Sequence, residues 1–151
     1  MKAIQERYPE EFAHCFGCGT ANPFGHHIRT YRDGGETRTD FNPQDFHTAL
    51  PGFVYGGLIA SLIDCHSTGS AAIFAALARD LPEDAPAPRF VTAQLQVDYH
   101  KPTPLGPLQL RGSQLEISGR KVVVSTQLYA QGQRCASGRV VCVELPPDWG
   151  K

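Results

Sequence analysis

The middle of the chain carries a long apolar run that is broken by almost no charge. Between positions 58 and 78 the only formally charged residue is Asp64. Apolar residues occupy every side of a helical projection of this run, which is typical of a helix buried in a core. The pattern predicts one helix from about Gly56 to Arg79, weakened where Gly69 interrupts it.

On both sides of this helix the periodicity changes to two, which indicates half-buried strands. The clearest case is the alternation of apolar and polar residues after position 90. The predicted strands are His27–Tyr31, Glu36–Phe41, Val91–Tyr99, Leu108–Ile117, Val122–Tyr129 and Cys135–Glu144. We expect a bulge at Gly112, since glycine inside a strand often marks one. Two strands, a long helix and four strands predict an α+β fold, with an antiparallel sheet wrapped around the helix.

The first 25 residues are rich in turn-forming residues and predict an ordered coil that precedes the first strand. We expect residues 1–151 to form a single domain, because a chain of this length buries a substantial core without disulfides or metals.

Charge and cysteine content narrow the range of partners and the compartment. The chain has 14 Lys and Arg against 15 Asp and Glu, all scattered, which argues against a nucleic-acid or anionic-membrane surface. A small molecule is the expected partner. Five cysteines is an odd number, and no apolar signal segment follows Met1, so we expect reduced thiols and a cytoplasmic protein. Polar residues in the middle of the apolar run disfavour a membrane span.

Asp64 is the leading candidate for chemistry. Burying an unpaired carboxylate is costly, so its position on an apolar helix indicates a general base or a nucleophile. The structural alternative is a buried aspartate that caps a loop or pairs with His66 or an arginine. Gly56 and Gly57 would stand at the helix N-terminus, where free N–H groups and positive dipole character suit a developing oxyanion. Close helix packing or a loop-to-helix turn is their alternative.

The spacing of these residues predicts a shared site. Gly57 and Asp64 lie seven residues apart, roughly 10 Å along a helix that rises 1.5 Å per residue. One substrate carbonyl cannot reach both in a single chain. We therefore expect a two-fold axis to bring Asp64 of one subunit near the glycines of another.

Four stretches of the chain carry a family resemblance. They are Cys15-Phe16-Gly17-Cys18-Gly19-Thr20-Ala21-Asn22-Pro23-Phe24-Gly25, Gly56-Gly57-Leu58-Ile59-Ala60-Ser61-Leu62-Ile63-Asp64, Thr92-Ala93-Gln94-Leu95-Gln96-Val97-Asp98-Tyr99-His100-Lys101-Pro102 and Gly119-Arg120-Lys121. Together they resemble the hotdog-fold thioesterases of the PaaI and 4-hydroxybenzoyl-CoA thioesterase group, over roughly residues 15 to 145. The resemblance implies a long helix wrapped by a curved sheet, homodimers with a continuous sheet, and often dimers of dimers.

The resemblance also implies roles for particular residues. Asp64 matches the catalytic carboxylate, Gly56 or Gly57 matches the backbone donor to the thioester carbonyl, and Thr92 matches a hydroxyl near the attacking water. An ordinary exposed β-strand threonine remains the alternative for Thr92.

Four further residues are candidates for substrate binding. The family commonly has a histidine where this chain has Tyr55, which cannot act as a base at neutral pH. His47, eight residues earlier, is a candidate to replace that histidine, and both residues are candidates to line the acyl pocket. Arg120 and Lys121 stand at a turn where the resemblance suggests contact with CoA phosphates. A solvated pair of turn charges is the alternative.

The sequence therefore favours hydrolysis of acyl-CoA thioesters without a cofactor, since coenzyme A is part of the substrate. The alternative is a hotdog module that binds an acyl-CoA or another acyl ligand without turnover, as Tyr55 would allow. Hydration of an enoyl thioester is a third hypothesis. The Asp64-Cys65-His66 sequence argues against it, because it does not resemble the motif of that reaction.

Cys15 and Cys18 form a Cys-x-x-Cys pair with His14, His26 and His27 nearby. A closed zinc site needs four ligands, and no second cysteine pair has the usual spacing. We therefore expect no stoichiometric metal at this pair.

Overall fold

The computed structural model describes residues 1–150; Lys151, the last residue of the expected single domain, lies outside the described residues. One α-helix and six β-strands make up the regular structure. In chain order they are β1 (Tyr31–Asp33), β2 (Glu36–Phe41), α1 (Gly56–Ala78), β3 (Phe90–Tyr99), β4 (Leu108–Ser118), β5 (Lys121–Ala130) and β6 (Gln133–Glu144).

The six strands form one antiparallel sheet in the order β1-β2-β4-β5-β6-β3. Helix α1 packs across β3, β4, β5 and β6. Leu58 and Leu62 of the helix and Val124, Leu128 and Val140 of the sheet are fully buried in the core. This is the predicted α+β hotdog arrangement, and that prediction is confirmed.

Helix α1 begins at Gly56 as predicted and ends at Ala78, with Arg79 in the C-cap position. The helix continues through Gly69 without a break. A Cβ at Gly69 would lie 2.7 Å from Gln5 Nε2 and 3.0 Å from Thr30 Oγ1. Gly69 therefore lets the N-terminal leader (residues 1–25) pack closely against the helix, and the helix has no break at the position where weakening is predicted.

The apolar composition of helix α1 is compatible with either a membrane span or a buried position in the core. Helix α1 is long and apolar enough, by length and composition alone, to cross a membrane. In the structure 83% of its most apolar window is buried against the sheet and the leader. Packing in the core of the domain accounts for the apolar composition.

Several element boundaries differ from the sequence prediction. The first strand begins at Tyr31 instead of His27, because residues 27–30 bond to the leader: Ile28 N–H donates to Gly17 O, and Ile4 N–H donates to Thr30 O. The leader itself is not coil throughout, since it contains two short 3₁₀ helices, Ile4–Arg7 and Glu10–Phe12.

The irregularity of β4 also lies elsewhere than expected. Gly112 is paired in register with both neighbouring strands, and the register shift falls between Gln114 and Glu116. A Cβ at Gly112 would overlap Thr37 Oγ1 and crowd two further buried polar atoms. The glycine makes room for a polar cluster and does not mark a bulge.

Strand β3 forms an edge of the sheet, and one side of its backbone ladder has no partner within residues 1–150. The strand is ten residues long and has a register shift between Thr92 and Gln94. Its apolar residues Val91 and Leu95 are 38% and 39% exposed, although the alternation predicted a half-buried strand. A long apolar edge of this kind favours pairing with another strand.

Candidate active site

Asp64 lies on the third turn of α1 and faces β3. Its carboxylate accepts a hydrogen bond from the Thr92 hydroxyl, through Oδ1. Both side chains are partly buried. The structure therefore brings together two of the predicted catalytic residues, from elements 28 positions apart in the chain.

Burial raises the pKa of the Asp64 carboxyl above its ordinary value. The Thr92 hydrogen bond acts in the opposite direction, and the charge of Arg89 also favours the ionised form. Asp64 forms no salt bridge within residues 1–150. The alternative in which it pairs with His66 or an arginine does not describe this structure, and one hydroxyl leaves most of its acceptor capacity free.

His66 lies in a separate buried cluster of hydroxyl groups. Its Nδ1 is 2.7 Å from Thr39 Oγ1, and its Nε2 is 3.3 Å from both Thr37 Oγ1 and Ser70 Oγ. Burial lowers the pKa of the imidazole to about 3, so the ring is neutral at physiological pH. The cluster joins α1 to β2.

The helix N-terminus carries two amides without acceptors. The Tyr55 carbonyl accepts from the N–H groups of Leu58 and Ile59, at 3.2 and 3.4 Å, while the N–H groups of Gly56 and Gly57 bond to nothing within residues 1–150. Tyr55 occupies the N-cap position without a side-chain cap bond. The Tyr99 hydroxyl donates to Gly56 O at 2.7 Å and so holds β3 against this helix end.

A Cβ at Gly57 would overlap the ring of Tyr55, so the glycine lets this ring lie over the first turn. His47 is close to the same place, since Tyr55 N–H donates to His47 O at 3.1 Å. The His47 imidazole stacks edge-on against Phe46 and His26, with ring centroids 4.8 and 5.4 Å away. The structure thus places the two pocket candidates side by side at the start of α1.

Arg120 and Lys121 lie at the β4–β5 turn and are already engaged. Both Arg120 Nε and Nη2 donate to Glu144 O, at 3.1 and 2.7 Å. Lys121 Nζ lies 2.8 Å from Glu116 Oε2. Lys121 pairs with Val143 on β6, and Val143 pairs with Val91 on β3. Thr92 follows Val91, so the turn lies two strands away from Thr92, about 10 Å across the sheet.

Three thiols meet where the leader packs on α1. The Sγ atoms of Cys15, Cys18 and Cys65 all lie within 4.8 Å of one another, with 3.8 Å between those of Cys15 and Cys65. Hydrogen bonds from the other two thiols lower the pKa of the Cys15 thiol. The assumption that only two thiols are available here is wrong, because α1 supplies the third. The prediction of no stoichiometric metal at Cys15 and Cys18 depended on that assumption.

Of the nearby histidines, His26 packs against Phe16 with ring centroids 5.0 Å apart, and His27 Nε2 bonds to Asn22 O. Neither these nor His14 belongs to the thiol group.

Sequence reasoning missed three residues near this site. Arg89, three positions before Thr92, supplies the positive charge that acts on Asp64. Tyr99 anchors the helix N-terminus, and Cys65 completes the thiol group. The position of Cys65 directly after Asp64 was a usable signal, while the other two contacts depend on tertiary packing.

Known proteins resemble the chain in both sequence and fold. The family model described as the thioesterase superfamily matches residues 51–137. The acyl-coenzyme A thioesterase THEM4 of Mus musculus is 42% identical over 102 residues, which cover 66% of this chain and 39% of the mouse protein. The Xenopus laevis THEM4 is 37% identical over 89 residues, which cover 58% of this chain and 35% of that protein. The chain thus spans between a third and two fifths of the length of these curated relatives.

A solved structure gives fuller coverage. A thioesterase superfamily protein from Shewanella loihica PV-4 is 47% identical, with a TM-score of 0.68 over 90% of this chain and 97% of that one. A second thioesterase superfamily protein, RHA08564, is 29% identical, with a TM-score of 0.65 over 87% of this chain and 60% of that one. The family match covers more than half of the chain. This chain belongs to the thioesterase superfamily.

Proposed function

We propose that this protein hydrolyses acyl-CoA thioesters, with Asp64 as the reacting carboxylate. The observation that carries the proposal is the Asp64–Thr92 pair, a partly buried carboxylate with free acceptor capacity on the helix whose first two amides are unpaired. Thioester hydrolysis requires both groups: a base or nucleophile, and donors where the oxyanion forms. The acyl-CoA thioesterase names of the relatives support this substrate class.

The reaction consumes one water and needs no cofactor. Asp64 either removes a proton from the attacking water or attacks the thioester carbonyl itself, and the Thr92 hydroxyl positions the carboxylate. In both routes negative charge develops on the carbonyl oxygen, where the amides of Gly56 and Gly57 donate. The carbon–sulfur bond then breaks and the leaving thiolate takes up a proton to give free CoA thiol. In the general-base route the water oxygen is already bonded to the acyl carbon, so the carboxylic acid is formed directly. In the nucleophilic route cleavage leaves a mixed anhydride on Asp64, which a water molecule hydrolyses to the carboxylic acid and the free Asp64 carboxylate.

The proposed site is shared between two subunits. Gly57 and Asp64 are separated by two turns of α1, roughly 10 Å, so one carbonyl cannot contact both in one chain. The unpaired edge of β3, with exposed Val91 and Leu95, supports a dimer in which two β3 strands continue one sheet. Such pairing would place the two copies of α1 side by side. A dimer of dimers is the larger assembly that we expect.

The acyl group would lie beside His47 and Tyr55 at the start of α1. Exposed Phe46 and Leu50, 77% and 70% accessible in the single chain, supply apolar surface near this end. Arg120 and Lys121 are the proposed contacts for CoA phosphates. Their present partners are a backbone carbonyl and an exposed carboxylate, which a phosphate can replace at small cost.

Gly56 offers a sharp test, because it is the first helical residue. Proline is tolerated at this position, and Tyr55 has the extended backbone (φ −74°, ψ 146°) that precedes proline well. Gly56→Pro removes one proposed donor and should lower CoA-thiol release by about 100-fold. Gly56→Ala keeps the N–H group, and its Cβ would lie 3.4 Å from the Tyr99 ring, so this control should retain most of the activity.

Mixing the Gly56→Pro chain with an Asp64→Asn chain tests the shared site. After subunit exchange, half of the dimers are mixed and each has one intact site of two, so activity should recover to about a quarter of wild type. No recovery after verified exchange, or an active monomer by light scattering, would contradict the shared site. Acyl-CoA binding without thiol release from any acyl-CoA tested would instead support the non-catalytic binding module.

A further inference from the structure

We propose that Cys15, Cys18 and Cys65 form a three-thiolate binding site for one Zn²⁺ ion, with the fourth position open to water. Three protein ligands and a water make a common tetrahedral zinc arrangement. With zinc–sulfur bonds of about 2.3 Å, tetrahedral geometry separates two sulfurs by about 3.8 Å. The Cys15 and Cys65 sulfurs are 3.8 Å apart, and the Cys18 sulfur lies within 4.8 Å of both.

The backbone holds these sulfurs in place before any ion binds. In the turn that carries Cys15 and Cys18, Gly19 N–H donates to Cys15 O at 2.7 Å. Ile28 N–H donates to Gly17 O at 3.0 Å and ties the turn to the chain after it. A Cβ at Gly17 would overlap Cys65 Sγ, so glycine lets the turn approach the helix closely enough to include Cys65.

The surroundings fit a net charge of minus one at this site. Arg89 lies partly buried near the thiols, and its guanidinium donates only to the backbone carbonyls of Phe12 and Phe90. It pairs with no carboxylate within residues 1–150. Three thiolates and one Zn²⁺ carry a charge of minus one, which the single positive charge of Arg89 balances. Zinc binding releases the thiol protons to solvent, and the positive charge of Arg89 offsets the negative charge of the zinc–thiolate group.

A buried hydroxyl without a partner lies beside the same groups. Tyr8 is 8% exposed, its ring lies under the Arg89 guanidinium at 4.9 Å, and its hydroxyl has no acceptor within residues 1–150. Cys18 and Cys65 both act electrostatically on this hydroxyl. Ionised sulfurs at these positions place negative charge near the hydroxyl, which favours its protonated form.

Solvent reaches the thiol group on the side of Cys15. Cys18 and Cys65 are 1% and 6% exposed, while Cys15 is only partly buried, so an ion can enter past Cys15. Within residues 1–150 no histidine, aspartate or glutamate joins the group at ligand spacing. A bound zinc would fasten the leader to the residue that follows Asp64.

The test measures zinc binding by the full chain. The protein is first reduced and freed of metal with a chelator, and titration of the free thiols verifies that it is fully reduced. Competition against a chromophoric chelator should give one zinc per chain. Loss of a residue that only hydrogen-bonds to a metal ligand already weakens metal binding by about 10–100-fold. Loss of a sulfur that binds the metal directly should therefore weaken binding by more than about 100-fold. We expect this loss in both Cys65→Ser and Cys15→Ser. Cys135→Ser is the matched control, because Cys135 is equally buried but lies on β6 outside the group.

A second readout does not depend on enzymatic activity. Cobalt titration should produce a thiolate-to-metal charge-transfer band that saturates at one equivalent in wild type and Cys135→Ser and is absent in Cys65→Ser. Zinc should raise the melting temperature of wild type and Cys135→Ser only. The proposal is overturned if the reduced wild type binds no zinc at micromolar concentrations, or if folded Cys15→Ser, the least buried position, binds zinc as tightly as wild type.

Discussion

Asp64 and His66 lie two residues apart on the same helix, yet their surroundings differ in every respect that matters for chemistry. His66 is fully buried, and hydroxyl groups of three residues surround both ring nitrogens. Asp64 is partly accessible and has one hydroxyl partner. The first group is neutral and satisfied, whereas the second is a carboxylate with lone pairs still available.

These two residues illustrate two different roles for a polar side chain on an apolar helix. A satisfied buried cluster aligns the elements that it joins, in this case α1 and β2. A carboxylate left partly unsatisfied at an accessible position retains the capacity to react. Burial alone does not distinguish the two roles, because it favours the neutral form of both groups: it raises the pKa of Asp64 and lowers the pKa of His66. The number of hydrogen-bond partners distinguishes them.

The largest expected effect is on activity at Asp64. Asp64→Asn should lower turnover of the best acyl-CoA substrate by at least about 100-fold, since a general base contributes roughly 10²–10⁴-fold. The Asn amide can still accept the Thr92 hydrogen bond, so the melting temperature should change little. Thiol release measured with a chromogenic disulfide gives the rate. A folded variant with nearly normal turnover would reject the role of Asp64.

His66 should show the reverse pattern. His66→Ala leaves a cavity and removes a shared partner of Thr37, Thr39 and Ser70, which should destabilise the protein by about 2–4 kcal/mol. Turnover per folded molecule should remain within a few-fold of wild type. Urea unfolding and active-site-normalised rates test the two statements. Strong loss of turnover in fully folded protein would place His66 in the reaction.

The pH dependence of stability gives a control for this comparison. The His66 pKa falls from its ordinary 6.5 to about 3 on folding, so the unfolded chain binds the extra proton. The contribution of neutral His66 to the free energy of unfolding is complete above pH 6.5. It is lost as the pH falls toward 3, by about 1.4 kcal/mol per pH unit at most. His66→Ala should lack this part of the acid limb.

Thr92 should give the smallest effect. Thr92→Val removes the hydrogen bond that lowers the Asp64 pKa, so that pKa should rise further. Because activity needs the ionised carboxylate, the acid limb of the pH–rate profile should move to higher pH, with a loss of about 10-fold at neutral pH. Thr92→Ser keeps the hydroxyl and should keep the wild-type profile. An unchanged acid limb in Thr92→Val would separate the hydroxyl from the titration of Asp64.

The sequence was sufficient for the features that depend on local pattern. The helix and the later strands follow directly from periodicity, and Asp64 is visible as the only charge on an apolar run. Thr92 came from family resemblance, because its exposed-looking position on an alternating strand gives no local sign of the bond to Asp64.

The features that were missed depend on contacts between distant segments. The start of β1 was misplaced because residues 27–30 bond to the leader instead of to β2. Gly112 was read as a bulge because the cluster around His66, which needs the missing Cβ, gathers side chains from β2 and α1. Cys65 was separated from Cys15 and Cys18 by 50 and 47 positions, and only tertiary packing brings them together.

The uncapped start of α1 has a consequence for protein engineering. Helices commonly satisfy an early amide with a Ser, Thr, Asp or Asn side chain, a cap worth about 1 kcal/mol of stability. Here Tyr55 provides no such bond, and the amides of Gly56 and Gly57 stay unpaired. Thermostabilisation by a capping residue at position 55 would place an internal acceptor where the proposed substrate oxygen binds. The added stability would act as built-in competitive inhibition.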